Sequence, residues 1–168
     1  MPWVDISGPI VANTVYVNNA IVAKDVEATF PEVTPVTADV EAMGTMSLPV
    51  WQRIEDMQLA ITKIGIDKGL KSMIKPDTLS LEFRFVQDLT DADGITKQVG
   101  CKAFFKAIPV SIPGIGITAG ESSSNETTFT VTRYQLYVDG EEMLLVDRLA
   151  GIVKIDGTDY MKTTNSLL

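Results

Sequence analysis

The sequence predicts an all-β protein, a β-sandwich or barrel of about eight strands with one short flanking α-helix. Three observations carry that expectation. Residues 126–147 read as a long β-type run, the turn dipeptide Asp139-Gly140 and a second apolar run, EEMLLVD. Two-residue alternation of apolar and polar side chains recurs along the chain, and turn-forming pairs punctuate it at Asn18-Asn19 and Asp156-Gly157. Reversal at such pairs needs positive φ, which Gly takes freely and Asn and Asp tolerate.

In chain order, TVYV–Asn18-Asn19–AIVA reads as a first hairpin over Asn13–Val22. Asp25–Phe30 alternates Val26, Ala28 and Phe30 against Asp25, Glu27 and Thr29, and Pro31 and Pro35 then interrupt pairing because neither donates to a ladder. Val36–Met43 alternates again, with Thr37, Asp39 and Glu41 on its polar face. Gly44–Trp51 reads as a loop rich in apolar residues, packed either on its own domain or on a neighbouring subunit. Arg53–Ile66 predicts a strand with Met57, Leu59 and Ile61 on one face, and Asp56, Gln58 and Thr62 on the other. Asp67–Lys75 is the helix candidate, with Asp67 as N-cap and Pro76 as the stop, though Gly69 weakens it.

Thr78–Leu89 predicts a strand with Leu79, Leu81, Phe83 and Phe85 inward, and Gln98–Ile108 answers it across the polar turn DLTDADG. Pro109–Asn125 is Gly-, Pro- and Ser-rich and reads as a long loop of the kind a partner orders. In the 126–147 hairpin the alternation switches phase near Arg133, from Phe129 and Val131 to Tyr134, Leu136 and Val138, as a β-bulge requires. Ala150–Ile155 adds a strand, and the tail Thr158–Leu168 reads as an irregular or helical end.

The chain has 168 residues, 45% hydrophobic and 21% charged, enough for one domain with a substantial core. Its net charge of -8 opposes a sequence-independent grip on nucleic acid. It contains no histidine, which removes Ser-His-Asp and Cys-His pairs, histidine metal sites and the commonest general base. The single cysteine, Cys101, allows no intrachain disulfide and alternates with Val99, Ala103 and Phe105, as a small buried hydrophobe would. The N-terminus carries Asp5 and no basic region, so it does not read as a secretory signal. Ile6–Ala23 is uncharged, but Gly8, Pro9 and its asparagines make it a poor membrane span, and no stable membrane insertion is expected.

Motif by motif, chemistry recedes. Gly114-Ile115-Gly116 lacks the Gly-Lys-Ser/Thr ending of a phosphate loop, and Asp91-Ala-Asp93-Gly94 lacks the later ligands of a calcium loop. Glu55/Asp56 and Glu141/Glu142 are adjacent strand residues and point to opposite faces. No catalytic, cofactor-binding or metal residue is assigned.

The segments TVYVNNAIVAKDVEATFPEVTP, VTADVEAMG and YQLYVDGEEMLLVDRLAGIVKIDGTDYM, taken in that order, resemble the major tail tube protein of contractile-tailed phages and of the related tailocins. The resemblance runs from about Asn13 to Tyr160 and is most specific at the C-terminal pattern ending in Asp156-Gly157-Thr158-Asp159. It implies a sandwich with a flanking helix, six copies per ring, inner strands joined into one continuous barrel, and rings stacked into a tube. It also implies a sheath around the tube, baseplate and tail terminator proteins at its ends, and double-stranded DNA passing without specific binding. The implied location is the virion tail, assembled in the host bacterial cytoplasm, with neither catalysis nor a cofactor.

By that analogy the chain divides into an N-terminal arm (1–12), an inter-ring region (31–51), a long loop (109–125) and a C-terminal tail (158–168). Val36, Met43, Met46, Leu48 and Trp51 would contact the adjacent ring. Asp25–Phe30, Arg53–Ile66, Gln98–Ile108 and Thr127–Val138 would line the lumen, with Asp56, Gln58, Thr62 and Thr128 facing it. Six copies would carry about -48 formal charges, enough to repel DNA phosphates wherever they line a bore. The alternative classes are a monomeric β-sandwich binding module, for instance for carbohydrate, and an enzyme built on acidic residues.

Overall fold

Chain reversal at residues with positive φ organises the molecule from its first hairpin to its last. A computed structural model describes residues 4–168, so Met1–Trp3 of the expected arm lie outside the described residues. Strand β1 (Ile6–Val17) turns through Asn18 (φ 49°) and Asn19 (φ 68°) into β2 (Ala20–Lys24). After β3 (Glu27–Thr29) come β4 (Pro35–Glu41), β5 (Thr45–Ile54) and β6 (Met57–Ile64). Helix α1 (Lys68–Met73) precedes β7 (Leu79–Thr90) and β8 (Thr96–Pro109). The long β9 (Ser124–Val138) turns through Asp139 (φ 52°) and Gly140 (φ 79°) into β10 (Glu141–Asp147). β11 (Ile152–Ile155), β12 (Thr158–Asp159) and α2 (Lys162–Leu167) end the chain.

The class is the predicted one, mostly β with short helices, but with more strands than the expected eight and a second helix at the C-terminus. Three sequence readings change. Residues 6–12, expected as an arm, form the first half of β1 and pair with β7 through two irregularities around Ile10. Gly44–Trp51, expected as a loop, is strand from Thr45 onward, because Met46, Leu48 and Val50 alternate with Thr45, Ser47 and Pro49. Pro49 is tolerated there since the β4–β5 sheet has only two strands, each with a free edge. Pro35 likewise opens β4 instead of interrupting it, the first position of a strand being one a proline accepts.

The main sheet runs β12-β11-β10-β9-β8-β7-β1-β2, with β6 also on β9 and β3 on β6. It curves around its core without closing on itself. β9 makes this possible by changing partners along its length: residues 124–131 pair with β6, and residues 133–138 pair with β10. Between them, β8 pairs Lys106 with Arg133 but Ala107 with Val131, leaving Thr132 as the extra residue of a bulge. The phase switch read near Arg133 is this bulge. It keeps Phe129, Val131 and Tyr134 all pointing inward.

Val15, Met57, Leu59, Ile61, Leu81, Phe83, Phe105 and Val146 fill the interior. Tyr134 stacks on Phe105 at 4.8 Å, and Phe83 meets Phe105 edge-on at 5.6 Å. Burial pushes the Tyr134 phenol up to about 12, so it stays neutral in its apolar setting. Cys101 is buried, and desolvation raises its thiol above its ordinary value.

Helix α1 forms as its N-cap predicts. The backbone N–H groups of Gly69 and Leu70 donate to Asp67 Oδ1 at 2.9 and 3.2 Å, and the buried Lys63 ammonium donates to Asp67 Oδ2 at 2.8 Å. These bonds, the Lys63 one foremost, hold the Asp67 carboxyl below its usual range. Gly69 is there for contact: a Cβ would collide with the Val22 carbonyl oxygen of β2.

Two candidate interaction surfaces

The first surface is the hairpin β4–β5, a sheet of its own. Its register pairs Val36 with Val50, Ala38 with Leu48, and Val40 with Met46. Pleating puts both members of each pair on one face, so six apolar side chains form one side of the hairpin. The other side carries Thr37, Asp39, Glu41, Thr45, Ser47 and Pro49, with Ser47 Oγ donating to Asp39 Oδ1 at 2.5 Å. Met46 and Leu48 remain 48% and 45% exposed, and Val36 and Val40 are exposed too, so the subunit leaves much of this apolar side open.

Of the sequence-predicted contact residues, Val36, Met46 and Leu48 share the apolar side. Met43 sits at the hairpin tip with φ 55° and full exposure. Trp51 begins the stretch 51–53 that has no partner on β4, where the register jumps from Val36–Val50 to Pro35–Ile54 near the hairpin base. Ala38 and Val40, on the same side, were not singled out from the sequence. Their signal was the apolar half of the same alternation that marked Thr37, Asp39 and Glu41 as polar.

The second surface is the outer face of β3, β6, β9 and the end of β8. The four stretches read as one group are consecutive neighbours in the order β3-β6-β9-β8. Cross-strand rows run Glu27–Thr62–Glu126, Thr29–Ala60–Thr128, and Gln58–Thr130–Ile108. The opposite faces of β6 and β9 carry the buried Met57, Leu59, Ile61, Phe129 and Val131. Gln58, Thr62 and Thr128 therefore share one polar wall of hydroxyls and amides. Glu27 and Glu126 flank Thr62 from the two neighbouring strands, and no basic side chain stands in these three rows.

Asp56 lies in the β5–β6 connection at the edge of the wall. The Gln58 amide donates to Asp56 Oδ2 at 3.2 Å, and Arg148 Nη1 lies 3.8 Å from Asp56 Oδ1. Glu126 and Thr130 were not singled out from the sequence, because only pairing reveals that they join the same face as Glu27.

Neither surface holds convergent chemistry. Among the described residues no three of the His, Cys, Asp and Glu side chains stand close enough to hold a metal ion. No helix among the described residues is long and apolar enough to cross a membrane.

A sequence model of the family described as phage tail tube protein FII matches residues 9–168. No curated protein is similar enough in sequence to be matched. Among solved structures, the chain is similar to a chain of the sheath-tube complex of PVC, an extracellular contractile injection system, in its extended state. That likeness has a TM-score of 0.52 at 14% identity, covering 78% of this chain and 91% of the other. A chain of the PVC sheath/tube terminator gives 0.50 at 15% identity, covering 77% and 95%. At such identities the likeness is one of fold.

Proposed function

The chain belongs to the phage tail tube protein FII family, a structural family with no enzymes implied, and from that premise we propose how it builds its tube. Six copies form a ring, rings stack into a hollow tube of a contractile apparatus, and the tube penetrates a target envelope and conducts DNA. The observation that carries this reading is the β4–β5 hairpin, whose apolar side is left largely open by the subunit. A two-stranded hairpin standing alone is marginal in water, so an open apolar side of this extent implies a lasting cover. The adjacent ring supplies it, receiving Val36, Val40, Met46 and Leu48, while Met43 leads at the tip.

The polar wall of β3, β6, β9 and β8 faces the bore. Hydroxyl and amide side chains at Gln58, Thr62, Thr128 and Thr130 give it a wet surface whose three central rows carry no cation to hold phosphate, and Glu27 and Glu126 repel it. DNA slides past such a wall. The solved structures of similar fold come from a sheath-tube complex and a tube terminator, which supports a sheath and a terminator as partners here, with a baseplate at the far end. Assembly takes place in the host bacterial cytoplasm and the product resides in the particle tail.

Negative-stain electron microscopy of the purified chain tests this reading. Rings or tubes of uniform bore are expected at high concentration. A dispersed particle of single-subunit mass at every concentration would refute it.

A further inference from the structure

Resting on the ring proposed above, we infer that the segment Val110–Ile117 is an arm that one copy lends to the next, adding a strand to the free edge of β3. The sheet that forms the polar wall has two unfinished edges. At one, β3 pairs only with β6, and its far side has no strand partner. At the other, the backbone continues from β8 past Pro109, and Val110 N–H donates to Thr128 O at 3.0 Å before the chain departs from β9. The two edges lie on opposite sides of β6 and β9. An arm reaching its own β3 would have to cross the wall, whereas a head-to-tail neighbour presents its β3 directly.

The arm's chemistry matches what β3 leaves uncovered. No charged residue occurs from Ala107 to Gly120. Val110, Ile112, Ile115 and Ile117 are 55%, 68%, 45% and 87% exposed, an unusual waste of β-branched side chains on a segment with no strand of its own. Beside β3 lies a groove of about 680 Å³ lined by Ile10, Val26, Ala28, Phe30, Phe83 and Phe85. Ala28 pairs with Ile61 and shares its core-side face, yet Ile61 is fully buried and Ala28 is exposed. The core of the subunit therefore opens at β3, and a small residue there leaves room for a larger one from outside.

Only one rung at that edge is already filled. The Asn13 amide donates to Val26 O, and Val26 N–H donates to Asn13 Oδ1, both at 3.0 Å, so a side chain stands in for a strand just where β3 begins. Beyond it the edge is open. Eight residues of extended chain span roughly 26 Å, ample to run beside the three residues of β3. Backbone pairing gives the arm its hold, and Ile115 with Ile117, which share one face of an extended strand, enter the groove and give it register.

Cysteine cross-linking tests the arm. Ala28→Cys is combined in turn with Ile112→Cys, Ile115→Cys and Ile117→Cys, and the full chain is assembled, oxidised and run under denaturing, non-reducing conditions. At least one pair should give a covalent ladder extending beyond the dimer, absent from Ala28→Cys alone, the native Cys101 being buried. Uniform tubes by microscopy with no ladder from any pair would overturn the arm while leaving the tube reading intact. A cross-link confined within single chains would overturn it as well, and failure of the unmodified chain to assemble would defeat both. As a second measurement, Ile112→Asp with Ile115→Asp should leave a folded subunit that forms no closed ring; normal rings from this variant would also overturn the proposal.

Discussion

Met46→Asp combined with Leu48→Asp puts the stacking role of the β4–β5 hairpin under the most direct strain. Both side chains are about half exposed, so only their outer halves await cover. Full burial of such a residue gives about 1.5–3 kcal/mol, hence roughly 1 kcal/mol for each exposed half and about 2 kcal/mol per hairpin. In the proposed ring of six, stacking would lose about 12 kcal/mol per ring junction from these two positions. Each new carboxylate adds a desolvation cost of several kcal/mol if the neighbour offers no partner. The subunit itself should scarcely register the change, since an exposed substitution away from the core stays within about 0.5 kcal/mol. Thermal unfolding of the dispersed variant should therefore match the parent, while sedimentation and negative-stain microscopy show single rings or smaller species. Tubes of parental length at the same concentration would refute the reasoning.

Three further outcomes follow from the subunit alone. Gly69→Ala should destabilise by about 1–3 kcal/mol, opposite to the usual gain of about 1 kcal/mol in a helix, because its Cβ meets the Val22 carbonyl; a lowered urea midpoint at unchanged slope would show it. Deleting Thr132 removes the bulge yet leaves Phe129, Val131 and Tyr134 in one alternating phase, all still inward, so the change falls on the local bend of β9 and its register with β8 instead of on the core. Circular dichroism should still report a folded β protein, with a lowered thermal midpoint; a largely unfolded chain would contradict Thr132 as the extra residue. Asp67→Asn keeps a capping oxygen but leaves Lys63 without a carboxylate. The native Asp67 carboxyl is depressed below 3.8, so its contribution is complete above that value and is lost as pH falls through the lower folded value. The stability gap between the two proteins should thus be constant near neutrality and shrink below about pH 4; an unchanged gap at pH 3 would contradict the assignment.

Legibility from sequence varied with the range of the interaction involved. The Asp139-Gly140 and Asn18-Asn19 reversals were readable because positive φ is a property of two adjacent residues. The bulge was readable too, since a phase slip in alternation leaves its mark within one strand. The Asp67 cap needed only three residues of context. By contrast, Pro49 misdirected the reading of Gly44–Trp51, because a proline excludes a central strand but permits an edge, and which edge is free is decided by pairing elsewhere. Gly69 looked like a weakness for the same reason: its purpose lies in β2, about fifty residues away in sequence.

What the sequence determined by itself was the alternation, the turns and the absence of histidine, and therefore a β-rich chain with two-faced strands and no histidine-based catalytic pair. What only the tertiary structure decided was which faces meet. Glu27, Thr62 and Glu126 form one row because β6 lies between β3 and β9, and Val40 faces Met46 because of one particular hairpin register. Period-two patterning tells each residue which side of its strand it occupies, but it carries no information about the neighbouring strand. Surfaces are made by neighbours, and neighbours are chosen by the packing of the whole chain.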